Sequence, residues 1–310
     1  MPIWLPITVT AALFQTWRTA KQQSLRHLLS VNGAAFVRFF YGAPMAALIL
    51  FVAMTVTGRP LPSPTPIFIL WSTCGGLCQI LATNLLIKAF GFRNFAVGTA
   101  YSKTDAAQTA ILGWLLLDER LAPLALIGIG VGLVGVLVLS LGGRGVGVRG
   151  LLGAITQPAA QCGLAAGGIF SLTAIFIKLA NEQIAGIAPD AAEMVLCACF
   201  TVVISKLSQT IMQGAYLLTF ERGELGRAVR AWRQAGLVGI LSACGSACWF
   251  SAFALAPVAL VRGVGQVEIV FTLLFSRYYL SERLRRSEVL GLVLVVTGVL
   301  LLVLARGTMT

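Results

Sequence analysis

Six charged residues stand inside long apolar runs: Arg38, Lys103, Asp105, Glu193, Arg262 and Glu268. An ionised side chain at the centre of a bilayer costs at least about 2.5–3.5 kcal/mol on insertion scales, so each needs a partner or a wet cavity. Two arrangements meet that need: internal ion pairs that fix helix packing, or a polar cavity that binds a zwitterion or anion, with or without a proton. Taken singly, each residue suits either. Taken as a set they favour the cavity, because a packed core gains little from so many desolvated charges. Neutral residues at compatible positions extend the candidate lining: Gln15, Trp17, Tyr41, Gln79, Asn84, Tyr101, Gln108, Gln157, Gln161, Trp249 and Gln266. Trp249 falls in mid-run, whereas Trp4 and Trp71 fall near run ends, where aromatic rings anchor at the lipid boundary. Lys88, Lys206 and Arg277 are also close enough to run ends to snorkel to the interface.

The elements that must position these groups are helices in lipid. The chain has 310 residues, 58% of them hydrophobic and only 11% charged, against roughly a quarter charged in soluble domains. Apolar runs bounded by Gly, Pro or charge predict ten helices, near 2–20, 31–56, 66–89, 95–117, 121–141, 151–180, 189–213, 235–255, 258–280 and 287–305. About 20 residues cross a bilayer, so these consume nearly the whole chain and leave no soluble catalytic domain. The opening MPIWLPITVTAALF has no basic n-region or small-residue cleavage site and reads as a retained first helix. The expected fold is all-α: a polytopic membrane protein of ten transmembrane helices.

An offset of 163 residues superimposes one part of the sequence on another. It brings LLLDERLAPLALIGIGVGLVGVLVL onto YYLSERLRRSEVLGLVLVVTGVLLL, matching an acid-Arg-Leu turn and two glycines, and pairs Asp105 with Glu268 and Thr109 with Thr272. This is an internal repeat, which divides the chain into five-helix repeats at 1–143 and 144–310. With five helices per repeat the halves insert in opposite orientations, an architecture of transporters that alternate access about a site near the midplane. The junction GGRGVGVRG contains a literal G-x-G-x-x-G at Gly145, Gly147 and Gly150, but no βαβ unit surrounds it, so it reads as a linker.

The helix, Asp-Glu-Arg-Leu turn and Gly-rich helix in AQTAILGWLLLDERLAPLALIGIGVGLVGVLVL, present a second time in the other half, resemble the EamA-type transporters of the drug/metabolite transporter superfamily. Weaker matches are Arg38 in AAFVRFFYGAP, Lys21 and Lys178. The resemblance implies a ten-helix bundle in a bacterial-type inner membrane that exports amino acids, related metabolites or drugs. A nucleotide-sugar-type solute is an alternative, and a non-transporting receptor or assembly protein is a more distant one. The family's Glu-Pro pair is replaced here by Asp105-Ala106 and Glu268-Ile269, so the kink that proline brings is not expected.

Other functions are disfavoured. No His-Glu-x-x-His, Gly-x-Ser-x-Gly or P-loop is present, which argues against an enzyme or an ATP-driven pump and implies no cofactor. The net charge of +12 is scattered in short clusters between apolar runs, a distribution suited to lipid head groups and not to nucleic acid. Cys74/Cys78 and Cys244/Cys248 share helix faces, but no histidine lies near and structural metal sites need about four ligands. Partners are therefore a small-molecule substrate, with or without protons, and lipid. Thirteen Lys and Arg residues fall in odd loops and four in even loops and termini, which puts the odd loops in the cytoplasm; the family resemblance implies the reverse. The segment ERGELGRAVRAWRQ places Leu225, Val229 and Trp232 on one helical stripe and predicts a short interfacial helix.

Overall fold

The computed structural model describes residues 2–91, 101–141, 156–272, 274 and 286–305, and among these every regular element is helical. The first half holds α1 (Trp4–Ser24), α2 (Val31–Phe40), α3 (Gly42–Thr57), α4 (Pro66–Gly91), α5 (Asp105–Leu117) and α6 (Pro123–Leu141). The second holds α7 (Pro158–Ile184), α8 (Ala191–Phe220), α9 (Glu224–Arg230), α10 (Trp232–Leu255), α11 (Val258–Gly265) and α12 (Arg286–Ala305). Val31–Thr57, the first 21 residues of α4, and the whole of α7, α8 and α10 are long and apolar enough to cross a membrane, and α5 and parts of α6 and α12 are shorter apolar helices. The chain is a polytopic membrane protein. The Gly-rich junction at 142–150, Arg277 and the second acid-Arg-Leu turn lie outside the described residues.

Helix ends follow local chemistry. Pro66, Pro123 and Pro158 open α4, α6 and α7, where a missing N–H costs nothing. Ser30 caps α2 by accepting from the Gly33 amide at 3.1 Å, and Asp190 caps α8 by accepting from the Glu193 amide at 2.8 Å. α3 ends at Gly58, whose φ of 65° is a left-handed conformation that a glycine adopts without strain.

Three interruptions depart from the expected helices. The run expected at 31–56 bends at Tyr41, because Pro44 has no N–H to give to the Phe40 carbonyl and its ring crowds that carbonyl. The other two lie at 103–104 and 266–267, where the chain makes a turn before the helix resumes at Asp105 and at Glu268. There the Thr104 amide reaches back to the Tyr101 carbonyl (3.2 Å) and the Val267 amide to the Val264 carbonyl (3.1 Å), bonds that lie 163 residues apart. The kink discounted for want of proline is therefore present in both places. In the first, Thr104 Oγ1 takes the Tyr101 carbonyl (2.7 Å) and accepts from Gln108 Nε2 (2.7 Å), so side chains replace the lost helical bonds.

The helices group into two compact units, each drawing on both halves of the sequence: 1–80 with 173–256, and 81–172 with 257–310. In the first, Leu50, Phe68, Leu196 and Phe200 form one apolar cluster, while Leu25, Phe36, Leu217 and Val238 form another beside α9. α1 lies on α10, where a Cβ on Gly245 would stand 3.3 Å from Phe14 Cβ, so small residues set the approach. In the second unit α6 packs along α12. A Cβ on Gly128 would meet the Gly298 carbonyl oxygen at 2.9 Å, and one on Gly135 would meet the Gly291 carbonyl oxygen at 2.9 Å. Gly128 and Gly291, like Gly135 and Gly298, are the glycines that the 163-residue offset aligns.

The expected interfacial helix exists as α9, but its stripe is divided. Glu224 and Ala228 are buried and Leu225 packs on the neighbouring cluster, whereas Val229 and Trp232 are exposed. Glu224 accepts from the Ser30 amide, which ties α9 to the start of α2. Trp4, expected at the lipid boundary, is buried within the protein.

Candidate functional site

Both helix interruptions contribute to one cluster of four charges in the second unit. Lys103 precedes α5, Asp105 begins it, Arg262 projects from α11, and Glu268 begins the helical turn that follows. Lys103 Nζ stands 3.2 Å from Glu268, and Arg262 Nη1 stands 3.4 Å from Asp105. Each pair thus joins the first interruption to the second. Arg262 also donates to the Phe170 carbonyl at 3.1 Å, and Thr109 and Ser171 hydrogen-bond the Asp105 carbonyl. Gln108 donates to the Leu164 carbonyl, and Tyr101 is buried close by in sequence. Gln266 is buried with its Oε1 against Gly132, at a place where a side chain on residue 132 would collide with it. Asn84 also lies in this unit, with its Oδ1 buried, while Gln161 is exposed in the first turn of α7. Glu119 of the acid-Arg-Leu turn has a separate role: its carboxylate accepts from the Val258 amide (2.9 Å) at the start of α11, where a helix favours negative charge.

The first unit holds a different constellation. Arg38 of α2 donates from Nε to Ser242 Oγ of α10 at 3.1 Å, and Lys206 of α8 donates from Nζ to the same oxygen at 3.0 Å. Both cations also stand over the Phe39 ring, at 5.3 and 5.2 Å from its centroid. Lys206 is 1% exposed and cannot snorkel. The helix expected to end near 213 continues to Phe220, so the lysine lies at its middle. Ser242, hidden in a run of small residues, had no sequence signal of its own. Trp249 donates to Gln15 Oε1 at 3.0 Å, and Gln79 Oε1 accepts from Gln209 Nε2 at 2.8 Å. Tyr41 donates to the Val229 carbonyl at 3.0 Å, bracing the bend against α9, and Trp17 is 40% exposed.

Glu193 is not brought to these groups. It sits in the first turn of α8, accepts from the Gly186 amide at 2.7 Å and pairs with Arg59 at 3.2 Å. Arg59 also pairs with Asp190 at 2.7 Å. The Glu193 amide, with Arg59 second, holds the Asp190 carboxyl below the usual carboxylate range. A depressed carboxyl contributes stability that is fully present above its unfolded pKa of about 4 and is lost as pH falls through the folded value. Asp190→Ala is therefore expected to lower the thermal midpoint at pH 7, with the difference from the native chain closing below about pH 4. Thermal melts of the two proteins from pH 7 to pH 3 measure it, and a difference independent of pH would refute the assignment.

The described residues are helical, with apolar spans and two buried charged constellations, as in a polytopic membrane protein. Residues 157–304 match the model of the EamA-like transporter family. No curated protein matches the sequence significantly. A solved structure described only as "Crystal structure of protein" aligns over 99% of this chain and 99% of its own, with a TM-score of 0.70 and 16% identity, a likeness of fold alone.

Proposed function

We propose that the chain is a secondary transporter that exports amino acids or related small metabolites by alternating access through a central cavity. The carrying observation is the pair of helix interruptions 163 residues apart, which bring Lys103, Asp105, Arg262 and Glu268 together inside an apolar bundle. Broken helices at matching repeat positions are where transporters place binding sites, because unwound backbone and exposed helix ends supply polar groups without leaving lipid-facing bonds unmet. In this reading the ten apolar runs are ten spans in two oppositely inserted repeats, 1–143 and 144–310, in a bacterial-type inner membrane. Asp105 and Glu268 hold equivalent depths, and with Lys103 and Arg262 they face the solute. The crossing of α6 and α12 through aligned glycines supports a twofold relation between the repeats.

The test is efflux. Cells overexpressing the chain are challenged with toxic analogues of amino acids and metabolites, and the protected class is then loaded as labelled solute into proteoliposomes with and without a pH gradient. Protection, with counterflow that falls at least tenfold in Asp105→Asn and Glu268→Gln, is the expected result. Full counterflow in both variants would remove this cluster from the mechanism, and no counterflow of any protected solute would sink the reading.

A further inference from the structure

We infer that Arg38, Lys206 and Ser242 form a binding site for an oxyanion, a carboxylate or phosphate group carried by a small solute. The inference rests on the transport reading and adds the chemistry of what is carried.

Position and burial make the case. Arg38 is 4% exposed and Lys206 1% exposed. Each stands well inside a helix long enough to cross the membrane: Arg38 in Val31–Thr57, Lys206 in Ala191–Phe220, and Ser242 in Trp232–Leu255. Two buried cations share one neutral hydroxyl, and Arg18 of α1 adds a third positive charge in repelling range of both. Among the described residues, neither Arg38 nor Lys206 pairs with a carboxylate. This contrasts with the second unit, where Lys103 and Arg262 each face an acid. A buried ion is tolerated when its charge is matched and its hydrogen bonds are met. One serine oxygen and the face of Phe39 do neither fully for two cations, and an anion placed there would match the charge they leave unmatched.

The surroundings hold the two cations in place. Gly42 and Gly239 let α3 and α10 close on the Lys206 stem: a Cβ on Gly42 would stand 3.3 Å from the Gly239 carbonyl oxygen and 3.6 Å from Lys206 Cδ. The guanidinium fork and the ammonium are complementary donors for an oxyanion, the first planar and directional, the second compact. One turn along α8, on the same face, Gln209 is buried; it donates to the Gly76 carbonyl and to Gln79, and its own Oε1 has no partner. That oxygen suits an N–H or O–H elsewhere on the same solute.

The site makes an unusual stability prediction. With no anion bound, Lys206→Met removes a repelling buried charge while keeping an apolar stem, so the variant should melt higher than the native chain. A lysine serving only to hold helices together would melt lower when replaced. The experiment measures thermal midpoints of the purified full chain in detergent, with sodium phosphate or sodium glutamate against sodium chloride at matched ionic strength. The native chain should gain midpoint with phosphate or glutamate and not with chloride. Lys206→Met and Arg38→Gln should each bind the probe about 30-fold more weakly or worse. If Arg38→Gln does not fold, Ser242→Ala, which keeps both cations, serves as the second variant and should also weaken the probe.

Repeating the melts in nanodiscs of phosphatidylcholine, with and without phosphatidylglycerol, separates a solute from a lipid. A midpoint that rises only with phosphatidylglycerol and is indifferent to phosphate and glutamate would assign the cations to a headgroup and overturn the inference. So would native-like anion stabilisation in Lys206→Met. Efflux of a cationic or uncharged solute with no anion effect would overturn this inference and leave the transport reading standing. Anion binding without any counterflow would do the opposite.

Discussion

Replacing Arg262 with leucine should destabilise the protein by about 3–5 kcal/mol, and replacing Asp105 with leucine in the same chain should recover most of that loss. The asymmetry follows from what each change leaves behind. Arg262→Leu strips Asp105 of its 3.4 Å partner and leaves a carboxylate with a side chain only 18% exposed inside an apolar bundle, together with a Phe170 carbonyl that has lost a donor. The double variant removes both charges and fills the space with hydrocarbon, an exchange that is often neutral or better for a buried pair. Four thermal or denaturant measurements in detergent close the cycle, and a coupling of at least about 1.5 kcal/mol is expected for charges this close. Additivity within about 0.5 kcal/mol would mean the pair contributes nothing. Transport should not follow stability. The neutral double variant should fold and still fail in efflux, because the proposed solute path would have lost two of its four central charges. A double variant that both folds and exports at the native rate would make the Arg262–Asp105 pair a packing device.

The distinction matters because the sequence reveals these residues unevenly. Apolar runs locate the described helices but not all of their ends, since lipid requires a helix of every crossing segment and leaves its exact length to local chemistry. The 163-residue offset links Asp105 to Glu268 from pattern alone, and the two interruptions fall at the aligned positions. It does not say which cation faces which acid, because pairing depends on how α11 approaches α5. Without proline, the usual cause, the sequence predicts no kinks. Here Thr104 and backbone reach-back bonds supply the turn, and no residue type signals that in advance. Lys206 reads as a boundary residue for another reason. Its helix passes the polar Gln213 and runs seven residues beyond the expected end, which moves the lysine from a boundary to mid-span. Glu193 stands in an apolar run and so reads as a cavity residue, but it is the third residue of a capped helix and serves that helix end. Ser242 is the least legible. A serine among small residues reads as close packing, and only the convergence of two cations on its oxygen distinguishes it.

Close packing by glycine yields the sharpest contrast between two substitutions of the same kind. A Cβ on Gly298 would stand 2.6 Å from the Gly132 nitrogen and 2.7 Å from the Gly128 carbonyl oxygen, all of it backbone of α6. Backbone atoms of a helix cannot step aside as a side-chain end can, so α6 and α12 must separate along their contact to admit even one methyl group. Separation forfeits dispersion along a whole crossing that lipid does not replace with equal fit. Gly298→Ala is therefore expected to cost about 3 kcal/mol or more, beyond the usual range for overpacking a core, and Gly298→Leu to prevent assembly. On the partner helix, Gly130 has nothing within 4 Å of its own Cβ position. Gly130→Ala should be harmless and, by helix propensity, more stable by up to about 1 kcal/mol. Expression level and thermal midpoint of the two alanine variants, made and measured together, decide the matter. Equal behaviour would show that α6 and α12 do not meet through these glycines. A loss at Gly298, repeated at Gly135 and absent at Gly130, is the expected signature of helices held together where the repeat has placed no side chain.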